Sequence, residues 1–183
     1  MTAPEITVAT IADREAVVES LVEAFPADPV LRHLFPDEET YPRHAAAFFG
    51  HLFDKRVGRR SIWTIERAAV AIWEPPTEGG ETLPEPDLPS DALGRMKEYD
   101  DAVHEAFPGG PFWYLGVLGT HPARAGRGWG RAVMSAGLDQ AAADGLPAVL
   151  ETSNPGNVDF YLRSGWQVVS RLTAPLPIWI MTQ

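Results

Sequence analysis

The stretch His121-Pro-Ala-Arg-Ala-Gly-Arg-Gly-Trp-Gly-Arg131 combines alternating glycines with three arginines and contains no acid. Such a segment can hold an anion. Glycines at 126, 128 and 130 allow positive φ and close backbone approach, so several N–H groups can converge on one point. If a helix starts directly after them, its dipole favours negative charge there. Arg124, Arg127 and Arg131 add cations. The chemistry implied is the cradling of a phosphate or pyrophosphate. The pattern is not Gly-x-Gly-x-x-Gly, and it comes two-thirds along the chain, so a Rossmann fingerprint is excluded.

The elements around the loop set it between a strand and a helix. Before it lies an apolar run, Phe112 to Thr120, read as a strand although Gly116 and Gly119 are poor strand formers that suggest a bulge or tight packing. After it, Ala132, Val133, Ala136, Leu138, Ala141 and Ala142 predict a helix over 131–144, stopped at Gly145-Leu-Pro147. Residues 148–152 form a short buried strand, 157–163 a helical turn or two with Gly165 behind it, and 166–173 and 178–181 closing strands. Upstream, 6–9 is a short strand and 13–25 an amphipathic helix ended by Pro26 and Pro29. Residues 38–57 are helical, and 61–65 with 68–73 make a hairpin around Glu66-Arg67. Five prolines between Pro75 and Pro89 make a long loop, after which Ser90 caps a helix to about Phe107. The order of elements predicts one domain over 1–183, an α/β (α+β) layer around a single sheet.

At 183 residues, the chain needs neither metal nor disulfide to form a core. With no cysteine, a thiol nucleophile, a Cys-based zinc site and an iron–sulfur site are excluded. His33, His44, His51, His104 and His121 lack the spacing of a helical metal pair, so no metal is expected. A net charge of −10 argues against nucleic acid, and no apolar run spans a membrane; the expected location is cytoplasmic. The cationic loop on an acidic chain suggests a small polyphosphate ligand. The acids from Asp87 to Glu105 read as a solvated helix face that draws in a cationic partner. Trp63, Trp73, Trp113 and Trp179 are expected mainly in the core.

Trp113 to Thr120, Ala125-Gly-Arg-Gly-Trp-Gly130, Leu150-Glu-Thr-Ser153 and Phe160-Tyr-Leu-Arg-Ser-Gly-Trp166 together resemble the GNAT superfamily of N-acetyltransferases. Within it, residues 61–173 look most like the enzymes that acetylate puromycin. The resemblance implies a mixed, mostly antiparallel sheet flanked by helices, with a V-shaped splay between its two central strands and a cofactor-binding core over about 112–173. It implies acetyl-CoA as co-substrate, held by Leu118, Gly119, Thr120, Arg124, Ala125, Gly126, Arg127, Gly128, Trp129, Gly130, Arg131, Asn154, Asn157 and Tyr161. The family usually places Gln or Arg where Ala125 stands here, so the loop relies on its backbone N–H groups.

By the same likeness, Leu118 aims its N–H at the thioester carbonyl and Tyr161 donates a proton to the leaving sulfur. The base is either Glu151 or Glu74, and Trp73, Glu74 and Glu151 are expected to touch the acceptor. Asn157 is expected to cap the helix of Tyr161. The implied activity is acetyl transfer to a primary amine of a small, antibiotic-type molecule. A protein amino-group acetyltransferase and a non-catalytic acyl-CoA-binding module stand as alternatives, and a homodimer is left open.

Overall fold

The structure, a computed structural model, describes residues 4–76 and 82–183. The middle of the proline-rich loop and the first three residues lie outside them. In chain order the elements are β1 (Thr7–Val8), α1 (Arg14–Ala24), α2 (Pro29–Leu34), α3 (Tyr41–Val57), β2 (Ile62–Ile65), β3 (Ala69–Glu74) and α4 (Ser90–Ala106). They continue with β4 (Trp113–Thr120), α5 (Trp129–Ala143), β5 (Ala148–Thr152), α6 (Pro155–Arg163), β6 (Gln167–Leu172) and β7 (Ile178–Thr182). The strands form one seven-stranded sheet in the order β1-β2-β3-β4-β5-β7-β6. All its neighbours are antiparallel except β4 and β5.

Period-2 alternation sorts the strand side chains between two layers. On β3, Val70 and Ile72 join the core built by α1, α2 and α3, whereas Ala69, Ala71 and Trp73 face α5. The β2–β3 hairpin turns through Glu66 and Arg67, at φ 52° and 57°. Both side chains are held, Arg67 by Asp13 at 2.6 Å and Glu66 by Arg124 at 3.4 Å.

The parallel pairing of β4 with β5 covers only Trp113 to Leu115 against Ala148 to Leu150. Beyond it the strands part. Opposite β3 the register slips, Ile72 facing Val117 and Trp73 facing Leu115, so that Gly116 is a bulge. The bulge inverts the phase of β4: Trp113 and Leu115 face the α5 layer, but past it Val117 packs in the opposite core. Gly119 is a case of tight packing, because a Cβ there would collide with Phe25 and Leu21 of α1.

Among the boundaries that differ from the sequence reading are four helix starts. Pro29 starts α2 instead of only ending α1: the Asp28 carboxylate accepts from the N–H groups of Val30 and Leu31, and proline suits the first helical turn. Pro89, not Ser90, is the N-cap of α4, and Ser90 is its first helical residue. Helix α5 begins at Trp129, two residues early, because Gly128 at φ 77° serves as N-cap. Asn154, not Asn157, caps α6 by accepting from Gly156 N–H at 3.0 Å. No described helix is long and apolar enough to cross a membrane.

Trp73 is fully buried, stacks on Trp166 with ring centroids 6.4 Å apart, and lies flat against Gly137 of α5. A Cβ at residue 137 would overlap the indole. Gly137→Ala therefore lowers stability by about 1–3 kcal/mol through overpacking. Thermal melting should show a fall of roughly 2–4 °C per kcal/mol for a chain of this size, and an unchanged melting temperature would contradict this packing.

Candidate active site

Residues of the splay sort by backbone direction. His121 N–H donates to Ala68 O at 2.7 Å, which makes Ala68 and His121 a hydrogen-bonded pair. Alternation along β3 and β4 then makes Gly119 and Val117 face β3 with their polar groups, while Leu118 and Thr120 point theirs away from it. β5 pairs with β4 only as far as Leu115. The N–H and C=O of Leu118 thus project into the splay, as an added extended chain requires.

Two cavities open on this gap. One, of about 530 Å³, is lined by Leu118, Gly119, Thr120, the loop Arg124 to Arg131, Asn157, Phe160 and Tyr161. Gly126 and Gly128 adopt φ 77° with nothing within 4 Å of where a Cβ would stand, so their N–H groups are approachable. Gly130 does not take positive φ; its hydrogen lies against Thr120 Oγ1 in place of a side chain. Arg127 lies over Trp129 at 5.3 Å and Arg131 over the Phe160 ring at 5.7 Å. Trp129 is 8% exposed and packs into the core under α5. Open glycines, flanking arginines and a helix start fit a pyrophosphate, and the unpaired strand edge beside them fits an extended amide chain.

The second cavity, of about 300 Å³, lies on the other layer and is lined by residues of α2, α3 and α4 together with Glu74, Tyr114 and Glu151. Phe25, Leu31, Leu34, Phe48, Phe49, Leu52 and Met96 give it apolar walls. Leu118, Asn157 and Tyr161 line both cavities, so the two meet there.

At the floor of this second cavity sits Glu151. Its Oε1 accepts from the Tyr114 hydroxyl at 2.6 Å and from the Tyr99 hydroxyl at 3.4 Å, while its Oε2 is buried without a protein partner. Burial pushes the Glu151 carboxyl up to about 7, against the opposing pull of the Tyr114 hydrogen bond. Burial likewise raises the phenols of Tyr99, Tyr114 and Tyr161, so each stays a donor at neutral pH. Glu74 is half exposed and paired with Arg56 at 2.6 Å.

Most of the residues singled out from sequence assemble around these two cavities; Trp73 and Asn154 do not. Trp73 falls on the α5 face of β3 while Glu74, one residue on, falls on the cavity face, since successive side chains alternate. Asn154 is occupied in capping α6. Tyr99, Tyr114, Asp28 and Arg56 line the second cavity and escaped the sequence reading. The alternation Trp113-Tyr114-Leu115 put Tyr114 opposite the core residues, a usable signal, but nothing in sequence joined Tyr99 or Arg56 to Glu151. Among the described residues no cluster of His, Asp or Glu is able to hold a metal.

Residues 92–166 match the sequence model of the Acetyltransferase (GNAT) family. Solved structures align over nearly the whole chain. One described as histone acetyltransferase HPA2 and related acetyltransferase, from Corynebacterium glutamicum, superposes with TM-score 0.71 at 21% identity, covering 99% of this chain and 96% of that one. The polyamine N-acetyltransferase of Drosophila melanogaster gives 0.63 at 12% identity over 99% of each chain. The PaiA N-acetyltransferase of Thermoplasma acidophilum, in complex with coenzyme A, gives 0.60 at 12% identity, covering 100% of this chain and 99% of that one. The fold is the one these acetyltransferase structures share. In this chain that fold is a seven-stranded sheet with one parallel pair and a central splay.

Glu151 also sets a pH dependence of stability. Its carboxyl titrates near 7 when folded and near 4.5 when unfolded, so the folded chain binds the extra proton between these values. Stability from this group is present below about 4.5 and is lost as pH rises to about 7, by up to about 3 kcal/mol. Urea unfolding of Glu151→Gln against the parent chain at pH 5 and pH 8 should show a smaller pH difference in the variant.

Proposed function

We propose that this protein is an acetyl-CoA-dependent N-acetyltransferase acting on a primary amine of a small molecule. The observation that carries the reading is the meeting of the two cavities at Leu118, Asn157 and Tyr161, with the Glu151 carboxyl facing the amine side. The family match over residues 92–166 and the coenzyme A complex of a fold neighbour support acetyl-CoA as the donor. The polyamine acetyltransferase among the neighbours supports an amine acceptor.

When bound, acetyl-CoA supplies an acetyl group as a thioester. The chain's residues divide the remaining work. Gly126, Gly128 and the arginines around them hold the pyrophosphate, and the free edge of β4 at Leu118 and Thr120 holds the pantetheine amides. Leu118 N–H stabilises charge growing on the thioester carbonyl oxygen, since a fixed backbone donor needs no reorganisation as that charge develops. An amine with a lysine-like pKa of about 10.4 arrives as an ammonium. It gives one proton to Glu151, directly or through water, and the freed nitrogen forms the amide bond as the C–S bond breaks. The sulfur leaves with a proton from Tyr161, the nitrogen gives up its second proton to the phenolate so formed, directly or through water, and Glu151 releases its proton to solvent. Glu74 is the weaker candidate for the base, because Arg56 holds its carboxylate.

Helices α2, α3 and α4 wall the acceptor cavity, which favours a compact amine over the extended chain of a protein substrate. The finer likeness, to acetylation of puromycin or another antibiotic, belongs to this proposal, and it rests on the sequence between residues 61 and 173. A cytoplasmic location and the absence of nucleic-acid and membrane partners go with the same reading, which leaves a homodimer open.

Thiol release from acetyl-CoA by purified protein against a panel of amines tests the reaction. For an active acceptor, kcat/KM should rise with pH to a plateau above about 7, because Glu151 must be ionised to take the proton. Glu151→Gln should remove this limb and lower turnover by roughly 10²-fold. In Tyr161→Phe, turnover should fall by about 10²-fold with acetyl-CoA affinity kept. Full turnover in that variant would take Tyr161 out of the mechanism, and acetyl-CoA binding with no release for any amine would favour the non-catalytic module.

A further inference from the structure

The hydrogen bonds at the floor of the acceptor cavity all fall on one side of the carboxyl. Tyr114 and Tyr99 donate to the same oxygen of Glu151, Oε1, at 2.6 Å and 3.4 Å, while Oε2 is buried without a protein partner. The two donors come from separate elements, β4 and α4. In register Tyr114 faces Val149, and Glu151, two residues further along β5, is on the same face of the sheet. Tyr114 therefore leans along the strands to reach the carboxyl, and its ring is packed in that posture. The Phe107 ring lies 5.2 Å from it, and a Cβ at residue 116 would stand 3.4 Å from its Cε1. The glycine of the bulge leaves the ring its place.

An oxygen that already accepts two hydrogen bonds is a poor seat for an incoming proton, because protonation would set a new donor against two existing ones. Oε2 has its lone pairs open. Building on the N-acetyltransferase reading, we infer that Tyr114 is a positioning residue: seconded by Tyr99, it holds Glu151 by Oε1 and so presents Oε2 to the proton of the acceptor amine. Tyr114 moves no proton itself, since burial and the nearby Glu151 charge keep its phenol protonated.

The same hydrogen bond sets a working pH. A phenol donates to the ionised carboxyl better than to the acid, so Tyr114 draws Glu151 down against the upward push of burial. Asp100 of α4 adds to that push by its like charge, and Asp28 at the α2 cap and Glu74 of β3 are the other acids lining the cavity. Its cationic side chains are Lys55 and Arg56 of α3, and Arg56 is paired with Glu74. Burial, helped by these two cations, lowers His51, and His104 Nδ1 lies 2.6 Å from the Asp100 carbonyl oxygen. Tyr161 of α6 is kept a phenol by burial and by the Glu151 charge. Among the described residues only the two tyrosine side chains hydrogen-bond the carboxyl, so removing one hydroxyl changes its contacts and leaves the charges around it in place.

Infrared titration of the full chain tests the placement without an acceptor. The carboxylic-acid band of Glu151 is the one missing from Glu151→Gln, a variant that keeps both histidines. In the parent it should disappear with a midpoint near pH 7. In Tyr114→Phe the midpoint should rise by about one to two pH units, the worth of one hydrogen bond to a charged group. The band itself should move to higher wavenumber, because Oε1 is then a carbonyl oxygen that has lost a donor. Tyr99→Phe, on a separate element and with the longer bond, should shift both in the same direction and by less. An unmoved midpoint in Tyr114→Phe, or a band that stays in place because the proton is on Oε1, overturns the inference.

Thiol release with 2-phenylethylamine at saturating acetyl-CoA gives the kinetic arm. At pH 7 the Tyr114→Phe kcat/KM should fall roughly 5- to 50-fold and recover as pH rises, following the ionised fraction. A fall that persists at every pH with the midpoint unmoved is what a merely structural role gives, and it overturns the inference. Should the parent release no thiol, the infrared arm decides alone: the shifted midpoint and band uphold the placement of Glu151 even where the acetyltransferase reading fails, and their absence removes it.

Discussion

The structure depends on one interruption of backbone pairing. At Gly116 the β4 strand bulges away from its register with β3, and beyond Leu115 it no longer pairs with β5. Unpaired N–H and C=O groups on a central strand are costly unless something meets them. The chain leaves those of Leu118 and Thr120 directed into the gap. Everything proposed for the site follows from it. The cofactor cradle sits at one end of the gap, the acceptor cavity opens on the other layer, and Tyr161 and Asn157 border both.

The bulge has a second consequence. By inverting the phase of β4 it lets Tyr114 and Val117, three residues apart, face the same layer. Tyr114 thereby reaches Glu151 on β5 while Val117 closes the core of the N-terminal helices. A strand in unbroken alternation would have sent one of them to the α5 layer. Glu151 owes its raised pKa to this arrangement: a dry floor lifts it, and the tyrosine hydroxyls keep it from rising further. A carboxyl near 7 is suited to taking a proton at neutral pH, and a carboxylate at its ordinary value is not.

The apolar interior is divided between the layers, and the division explains the glycines. Gly119 lets α1 approach the sheet, and Gly137 lets α5 lie on the Trp73 indole. Gly126 and Gly128 serve another end, a left-handed backbone that turns N–H groups outward at the start of α5. Helix α4 presents Asp91 and Asp101 to its own Arg95 and Lys97, but sends Asp100 and Tyr99 to the acceptor cavity. The acidic run read as a solvated face is thus partly a wall of the site.

The sequence by itself determined the strands and most of the helices in their order, the glycine loop before α5 and the helix of Tyr161. These are local matters, set by hydrophobic period, glycine and proline chemistry and residues close together along the chain. It also placed Glu74 and Glu151 at strand ends, where either was a candidate base. Tertiary structure decided between neighbours that local pattern leaves equivalent. Trp73 went to the core and Glu74 to the cavity by strand phase, Asn154 took the cap assigned to Asn157, and Pro29 opened a helix because the Asp28 side chain was free to cap it. The joining of Arg56, Tyr99 and Tyr114 to Glu74 and Glu151 came only from folding. Those residues lie on separate helices and strands, and the desolvation and hydrogen bonds that give them chemical character do not exist until the sheet and its helices close around them.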